Sequence, residues 1–218
     1  MMDDFRNFLQ NKRTQYDMGK LTRADLSTDP VEQFKSWLND ALKANVMEIN
    51  AMSLATVNAE GKPSNRIVLL KGVDENGFVF FTNYNSRKAK EIAQNPYASL
   101  NFFWSELARQ VRVEGKLSKV SLTDSDNYFQ SRPRLSQLGA MASSQSDIIA
   151  NGEVLEQRLA SLEKLYADSV IPRPPHWGGY VLKPSQVEFW QGRPDRLHDR
   201  FQYSLQKNNS WKIEQLSP

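Results

Sequence analysis

The first 45 residues carry two helical patterns of apolar and polar positions. Residues 3–15 are polar except for three apolar side chains at helical spacing, which predicts a short amphipathic helix. A loose polar stretch follows, so we expect residues 1–25 to form a mobile arm. The second pattern starts at Pro30, directly after three residues that favour helix N-caps, and its apolar stripe predicts a helix over residues 30–45.

From about residue 50 the pattern changes to short apolar runs that are separated by turn residues. Three sequential antiparallel strands are predicted in the segments NAMSLATV, NRIVLLKG and FVFFTN. A short helix should then begin at Asn85 or Ser86 and end before Pro96. Two further strands are predicted in the segments YASLNFFW and ARQVRVEGKLSKV.

The second half of the chain alternates between helical patterns and strands. Residues 123–142 are predicted to be helical with an interruption at Pro133, and residues 152–167 form a clearer helical pattern. Further strands are predicted in GYVLKP, QVEFWQG, LHDRFQYSLQ and SWKIEQL, the last two joined by an Asn-Asn turn. The whole pattern predicts a mainly β, α+β fold, with an antiparallel sheet closed into a barrel and four or five flanking helices in one domain over residues 1–218.

Composition narrows the classes of function. The chain has 218 residues, of which 39% are hydrophobic and 24% charged, as is usual for a globular protein. It has no cysteine, which excludes disulfides and thiolate nucleophiles, and with only His176 and His198 we predict no metal site. No apolar run approaches a membrane span and the N-terminus does not resemble a secretory signal, so we expect a cytoplasmic protein that does not bind membranes. The net charge of +3 is too small to favour a nucleic-acid-binding protein.

The sequence motifs of several common enzyme classes are absent. There is no GxxxxGK[ST] loop, no GxGxxG after a strand, no GxSxG and no HExxH, which argues against kinases, Rossmann dehydrogenases, serine hydrolases and zinc proteases. Basic and aromatic residues near the predicted strand ends suit phosphorylated aromatic small molecules instead. If the protein is an enzyme, we expect a cofactor to perform the difficult chemical step.

The first candidate binding group lies around the predicted helix after residue 85. Arg87 and Lys88 begin that helix, where free N–H groups and the helix dipole favour an anion such as a phosphate. The alternative is a solvated helix face. Arg66 and Lys71 precede this group and are an odd number of residues apart, so a regular strand would direct them towards two different anions.

The second candidate group lies in the segment FWQGRPDRLHDRF. If its last residues are extended, Arg196, His198 and Arg200 share one face, where an anion or a cleft would have to offset their repulsion. The alternative is an ordinary exposed sheet face. Trp190 is interpreted either as a core residue or as a wall that stacks on a ring.

The third candidate group lies near Pro133. Tyr128, Arg132 and Ser136 are four residues apart, so on one helix they would present a phenol, a guanidinium and a hydroxyl to a phosphate. The proline makes one uninterrupted helix doubtful, and the alternative is a pair of capped helices.

Taken together, these blocks resemble a known enzyme family. RIVLLK, FTNYNSRKAKEI, RQVRVEGK, YFQSRPRLSQLGA, PPHWGGY and above all EFWQGRPDRLHDRF are similar, in order and spacing, to the pyridoxine/pyridoxamine 5′-phosphate oxidase family. The resemblance runs from about residue 13 to the C-terminus. It implies an FMN-binding split barrel and a homodimer with two FMN sites at the subunit interface. It also implies the final step of pyridoxal 5′-phosphate (vitamin B6) synthesis, with dioxygen as electron acceptor and hydrogen peroxide as product.

The resemblance also assigns roles to residues of this chain. FMN contacts are implied for Arg66, Ile67, Val68, Leu69, Leu70, Lys71, Phe81, Thr82, Arg87, Lys88, Gln110, Gln145, Ser146, Trp190 and Arg200. The substrate phosphate would be held by Lys71, Tyr128, Arg132 and Ser136. Arg196 and His198, the implied catalytic residues, would flank the pyridine ring, and Arg13 and Tyr16 resemble an arm that closes over the substrate.

Three positions depart from the family pattern. Phe81 stands where Tyr is frequent, Asp147 where Ser is common, and Gln215 where Arg is usual.

Three other functions are alternatives to the oxidase. They are another split-barrel flavoprotein such as a flavin reductase, a non-catalytic carrier of pyridoxal 5′-phosphate, and a nucleic-acid-binding protein. The RLHDR and SRPR blocks argue against the reductase, and bound flavin would separate the oxidase from the carrier.

Overall fold

The computed structural model describes residues 2–218, with side chains described from residue 4 onward. Six α-helices lie in that range: α1 (Met2–Asn11), α2 (Pro30–Lys43), α3 (Arg87–Gln94), α4 (Leu122–Ser131), α5 (Arg134–Ala142) and α6 (Glu153–Tyr166). The same residues form nine strands: β1 (Ala51–Val57), β2 (Pro63–Leu69), β3 (Gly72–Asp74), β4 (Gly77–Asn83), β5 (Tyr97–Trp104), β6 (Arg109–Lys119), β7 (Trp177–Gln191), β8 (Asp199–Leu205) and β9 (Trp211–Leu216). The predicted mainly β, α+β fold is confirmed.

Helices α2 and α3 begin where local capping signals predict them. The Asp29 carboxylate accepts a hydrogen bond from the backbone N–H of Val31 at 2.7 Å, which starts α2 at the predicted proline. The side chain of Ser86, rather than Asn85, caps α3. None of the helices in the described chain combines the length and the apolar character that crossing a bilayer takes.

The sheet has the strand order β2-β1-β5-β6-β7-β4-β3, with β8 paired to β7 and β9 paired to β8. The predicted hairpin of β1 and β2 is confirmed, and both partners of β1 are antiparallel to it. The predicted strand FVFFTN is β4, and it is antiparallel to its partners, which are the short strand β3 and the distant strand β7. The Phe81 and Gly179 backbones are opposite each other in that pair, a contact between distant segments that no local pattern encodes.

Two predicted strands, GYVLKP and QVEFWQG, form the single strand β7. Pro184 lies inside it and lacks a backbone donor, yet the strand continues on both sides. Ser185 next to the proline donates its hydroxyl to the backbone carbonyl of Glu114 on β6 at 3.2 Å. A proline removes one ladder bond, and one missing bond does not end a strand whose neighbours stay paired.

The chain forms two compact units, and β5, β6 and β7 contribute residues to both. The first unit contains the described residues up to Ile49, Phe103–Arg112 and Val187–Pro218. Its core holds the fully buried rings of Phe34, Trp104, Phe189 and Tyr203. The second unit contains Asn50–Phe102 and Val113–Gln186.

The second unit has its own apolar interior. Met52, Leu54, Phe78, Phe80, Leu100 and Phe102 are buried between its strands. A further cluster is formed where α4 and α5 pack, by Phe129, Leu138, Ile171 and Trp177. Burying aromatic and aliphatic side chains of this size is the main stabilising contribution. The candidate site lies beside this second cluster.

Candidate functional site

A cavity of about 670 Å³ opens in the second unit. Strands β2 and β4, helices α3, α4 and α5, and the start of β7 supply its walls. The described residues that line it are Ile67, Val68, Leu69, Lys71, Phe81, Thr82, Asn83, Lys88, Tyr128, Arg132, Pro133, Ser136, Gly139, Ala140, Ser143, Gln145 and Trp177. Eleven of these are residues that the sequence predicts for FMN or for the substrate phosphate.

Lys88 is a buried cation in this cavity wall. It lies in the first turn of α3, and its Nζ donates to Thr82 Oγ1 at 3.0 Å and to Gln145 Oε1 at 2.9 Å. Burial, together with the nearby positive charge of Arg66, lowers the pKa of Lys88 to about 8. Both described hydrogen-bond partners are neutral, so the lysine has the environment of a group that binds an anion.

Arg132 presents an unused donor at the same cavity. Its Nη1 is buried and has no hydrogen-bond partner among the described residues. The guanidinium carbon lies 4.7 Å from the Trp177 ring centroid, so the tryptophan supports one face of the group. Burial lowers the pKa of Arg132. A buried guanidinium donor without a partner costs free energy, which an anionic ligand would recover.

Three aromatic rings stack beside Arg132. The Phe81 and Tyr128 rings are 3.9 Å apart and nearly parallel, and the Trp177 ring is 5.5 Å from that of Phe81 with a 12° angle. Gly179 permits this arrangement, since a Cβ there would lie 2.8 Å from Cε1 of Phe81. The stack places aromatic rings next to Arg132 in the cavity wall, an environment that suits a phosphorylated aromatic ligand.

The third predicted group is brought together, though on two helices rather than one. Tyr128 lies on α4 and Ser136 on α5, while Arg132 lies at the junction between them with extended backbone (φ −76°, ψ 148°). The predicted interruption at Pro133 is therefore confirmed, and the single helix that the proline made doubtful does not form. The physical reason is Pro133, because the residue before a proline is driven out of the helical region. All three side chains nevertheless line the cavity.

A second aromatic cluster lies in the first unit. The Trp190 and His198 ring centroids are 4.6 Å apart, and the Tyr16 ring lies 5.7 Å from Trp190 and 6.0 Å from His198. His198 Nδ1 accepts a hydrogen bond from the backbone N–H of Arg193 at 3.1 Å. Burial and the charge of Arg196 lower the pKa of His198, although Asp199 opposes them. The arrangement favours a neutral imidazole.

The prediction that Arg196, His198 and Arg200 share a strand face is wrong. Residues 194–196 form a 3₁₀ turn in which Asp195 and Arg196 have φ of 56° and 63°, and β8 begins only at Asp199. The left-handed backbone breaks the two-residue period of a strand. Arg200 instead makes a two-pronged ion pair with Glu188 at 2.7 and 3.1 Å, which raises its pKa.

The remaining predicted residues are distributed as follows. Arg66 and Arg87 converge on Glu91 outside the described cavity lining, at 3.3 and 2.9 Å. Leu70 is buried and is likewise not among the described lining residues. Ser146 is exposed, with φ of 77°. The predicted residues of the first unit are Arg13, Tyr16, Gln110, Trp190, Arg196, His198 and Arg200.

Sequence reasoning missed two residues that the structure makes prominent. Trp177 supports both Arg132 and the aromatic stack, and its only sequence signal was its place in the PPHWGGY block. Glu91 receives two arginines, and its position four residues after Arg87 on a helix was a usable signal for an ion pair.

Two family models match most of this chain. The family model described as pyridoxamine 5′-phosphate oxidase matches residues 38–166. The model described as the pyridoxine 5′-phosphate oxidase C-terminal dimerisation region matches residues 177–218. Together they cover both the cavity residues of the second unit and the Trp190–His198 cluster of the first.

Relatives of similar length match nearly the whole chain. A pyridoxine/pyridoxamine 5′-phosphate oxidase from Cyanothece sp. is 54% identical over 210 residues, which is 96% of this chain and 98% of the relative. One from Acaryochloris marina is 50% identical over 218 residues, covering 100% of this chain and 99% of the relative.

Solved structures agree on the fold. The structure of PhzG from Burkholderia lata 383, in complex with tetrahydrophenazine-1-carboxylic acid, has a TM-score of 0.87 and 32% identity, and covers 94% of this chain and 100% of its own. A pyridoxamine 5′-phosphate oxidase-related, FMN-binding protein from Nostoc punctiforme has a TM-score of 0.70 and 21% identity, over 88% of this chain and 100% of its own. On its sequence, its matching family models and its fold, the chain belongs to the pyridoxine/pyridoxamine 5′-phosphate oxidase family.

Proposed function

We propose that this protein is an FMN-dependent oxidase that converts pyridoxine 5′-phosphate and pyridoxamine 5′-phosphate to pyridoxal 5′-phosphate. Dioxygen is the electron acceptor and hydrogen peroxide is released. Relatives that are 50–54% identical over nearly the whole chain carry the name of this activity, which supports the proposal. The observation that carries it is the buried Nη1 of Arg132, which has no hydrogen-bond partner among the described residues and lies beside the stacked rings of the cavity wall.

The residues of the cavity fit FMN. Lys88 is a buried cation with a lowered pKa, and Arg66 lies close enough to depress that pKa further. A terminal phosphate monoester carries a charge of about −2 at neutral pH, which two or three cations would neutralise. We assign the FMN phosphate to Arg66, Arg87 and Lys88. The apolar side chains of Ile67 and Leu69 in the cavity lining suit the flat flavin ring.

A second phosphate site is assigned to Arg132, with Tyr128, Ser136 and Lys71 beside it. Arg132 Nη1 has a donor to offer, and Ser136 and Tyr128 each add a hydroxyl in the same cavity lining. A charged hydrogen bond to phosphate contributes about 1.5–3 kcal/mol. This site would hold the substrate by its phosphate, and the stacked rings would limit the positions its pyridine ring can take.

The work of the protein is to bind and orient, because bound FMN supplies the acceptor for a two-electron oxidation at the 4′ carbon of the substrate. No side-chain nucleophile is required, which suits a chain without cysteine. Arg196 and His198 are assigned to orient the pyridine ring and its 4′ substituent. Correct placement of the reacting carbon accounts for much of the rate in reactions of this type.

We propose that the protein acts as a homodimer. The described lining of the cavity comes entirely from the second unit, whereas Trp190, Arg196, His198 and Arg200 belong to the first. The matching C-terminal family model is described as a dimerisation region and covers these four residues. A dimer in which the first-unit cluster of one protomer completes the cavity of its partner would use both sets of residues.

The experiment is to purify the protein, measure its FMN content per chain, and follow peroxide release with pyridoxine 5′-phosphate and pyridoxamine 5′-phosphate. Unphosphorylated pyridoxine is the control, because it lacks the group that Arg132 would bind. We expect bound FMN, peroxide formation with both phosphorylated substrates, and little with the control. A protein that bound FMN and released no peroxide with either phosphate would refute the proposed reaction.

One second substrate class should be included in the same assay. The solved structure of PhzG has the tricyclic tetrahydrophenazine-1-carboxylic acid as its bound ligand and is 32% identical to this chain. That ligand carries a carboxylate and no phosphate. The higher identity to the named oxidases favours the phosphorylated pyridines, and we expect these to be the better substrates.

A further inference from the structure

One buried carboxylate, Glu91, collects donors from three elements of the second unit. Its side chain is 6% exposed. Its Oε2 atom accepts hydrogen bonds of 2.5 Å from both Thr56 on β1 and Ser64 on β2, and lies 3.3 Å from Arg66 Nη2. Its Oε1 atom accepts from Arg87 Nε at 2.9 Å, one turn earlier on α3. Each carboxylate oxygen therefore fixes one guanidinium.

The hydroxyls around Glu91 also bind Arg66. Arg66 Nη1 donates to Thr56 Oγ1 at 2.5 Å and to the backbone carbonyl of Leu54 at 3.1 Å, and its Nη2 donates to Ser64 Oγ. These bonds and the one to Glu91 use the four Nη hydrogens of Arg66, so the guanidinium is held from several sides and its fifth N–H group, on Nε, remains for an anion. Charge-assisted hydrogen bonds depend on direction, so a guanidinium held in this way binds an anion with less loss of entropy.

Glu91 is ionised at neutral pH. Burial alone would raise its pKa, but the hydrogen bonds from Ser64, Thr56 and Arg87, together with the charge of Arg66, outweigh burial and hold the pKa at about 2. The cluster therefore contains three cations, Arg66, Arg87 and Lys88, and one anion. Its net charge of about +2 equals in magnitude the charge of a phosphate monoester dianion.

We propose that Glu91 is a positioning residue for the FMN phosphate, and that by orienting Arg66 and Arg87 it makes the protein select FMN over riboflavin. This inference rests on the proposed function, since it takes FMN as the ligand. Arg87 depends on Glu91 more than Arg66 does, because the Arg87 side chain is 66% exposed and its orientation is set by its ion pair with Glu91.

Two other roles for Glu91 make different predictions. A counter-ion that competed with the phosphate would weaken FMN binding, so its removal would strengthen it. A purely structural role would change FMN and riboflavin binding together, because both ligands share the flavin ring. The ratio of the two dissociation constants therefore separates the three roles.

The test uses apoprotein titrated with FMN and with riboflavin, followed by flavin fluorescence. Glu91→Gln removes the charge with little change of shape. We expect FMN binding to weaken about tenfold, which is the lower end for loss of a charged hydrogen bond, while riboflavin binding stays within about twofold. A ratio of riboflavin to FMN dissociation constants that was unchanged, or that rose, would overturn the proposal.

The matched control is Asp40→Asn in the first unit. Asp40 pairs with Arg109 at 2.8 Å, and the Arg109 side chain is 22% exposed, close to the 20% of Arg66. The control loses an arginine–carboxylate pair outside the phosphate cluster, although its carboxylate is 43% exposed against 6% for Glu91. Both dissociation constants should match those of the wild type, and an equal loss of FMN selectivity in the control would overturn the proposal.

Ser64→Ala keeps the proposal testable if Glu91→Gln does not fold. Ser64 bridges Arg66 and Glu91 from the partly exposed strand β2, so its loss should weaken FMN binding by a smaller factor, about threefold, and leave riboflavin binding unchanged. Equal effects on both ligands would contradict the positioning role. Wild-type apoprotein that failed to bind FMN at all would instead refute the proposed function.

Discussion

FMN binding should weaken as the pH rises above 8, because of one buried lysine. Burial, with the repulsion of Arg66, lowers the pKa of Lys88 from 10.5 to about 8. A phosphate close to Nζ favours the protonated form, so bound FMN should raise this pKa again. At pH values between the pKa of Lys88 in the free protein and its pKa in the FMN complex, Lys88 takes up one proton when FMN binds. FMN binding therefore becomes weaker as the pH rises through this range.

The size of the effect follows from the pKa. Raising the pKa of Lys88 from about 8 back to its ordinary 10.5 corresponds to about 3 kcal/mol, which is the most that the phosphate could contribute through this lysine. If FMN restores the ordinary pKa in full, the titration of Lys88 should change the apparent Kd for FMN little from pH 6.5 to 7.5. It should rise about 30-fold between pH 7 and pH 9.5, approaching tenfold per unit.

The assay is fluorescence titration of the apoprotein with FMN at constant ionic strength, in steps from pH 6.5 to 9.5. Calorimetry in two buffers of different ionisation enthalpy measures the proton uptake directly. Lys88→Met is the control variant, because it keeps the length of the side chain and removes the titrating group. Riboflavin is the control ligand, because it has no phosphate to interact with the charge.

Two results would refute this reasoning. A wild-type slope equal to that of Lys88→Met would mean that another group titrates. The same slope for riboflavin would mean that the lysine does not interact with the phosphate. A parallel loss of folded protein above pH 9 is checked by circular dichroism at each step.

Three further outcomes are expected. Arg132→Ala should raise KM for the phosphorylated substrates by a factor corresponding to about 1.5–3 kcal/mol and leave the FMN content per chain unchanged. Loss of flavin with an unchanged KM would mean that the substrate phosphate binds elsewhere. His198→Asn should keep the bound flavin and lower kcat/KM in the peroxide assay, and Arg196→Leu should lower kcat/KM further, by up to about a hundredfold. Wild-type kcat/KM in both variants would show that these residues are not part of the site. The folded pKa of Glu91 is about 2 against 4.5 ordinarily, so its contribution to the free energy of unfolding, about 3 kcal/mol, is present above pH 4.5 and lost as the pH falls towards 2. Urea unfolding at pH 6 and pH 3 should show a smaller pH dependence in Glu91→Gln, and an identical dependence would contradict the assignment.

Local elements were the most predictable part of the fold. Helix α2 begins at Pro30 and strands β5 and β6 fall where their apolar runs predict them, since caps, turns and periodicity act over a few residues. The helix break at Pro133 was predictable for the same reason, because a proline constrains the residue before it directly.

The candidate site was predictable only in its residue types. The motifs around Arg87, Lys88 and Arg132 named cations that the structure places at one cavity or in the charge cluster beside it. They did not show that a buried donor of Arg132 lacks a partner in the described part of the chain, or that Glu91 pairs with both Arg66 and Arg87. Those properties depend on burial and on contacts between separate elements.

The sequence by itself determined the cations, the rings and the local elements that carry them, because these depend on residue identity and short-range geometry. Only the tertiary structure decided that β4 pairs with β7, which brings Phe81 against Trp177, and that residues 194–196 turn instead of extending. Pairing between distant strands depends on the burial of whole sheet faces. A left-handed turn depends on the surrounding structure that stabilises its backbone. Neither is encoded in the few residues on which a sequence pattern is read.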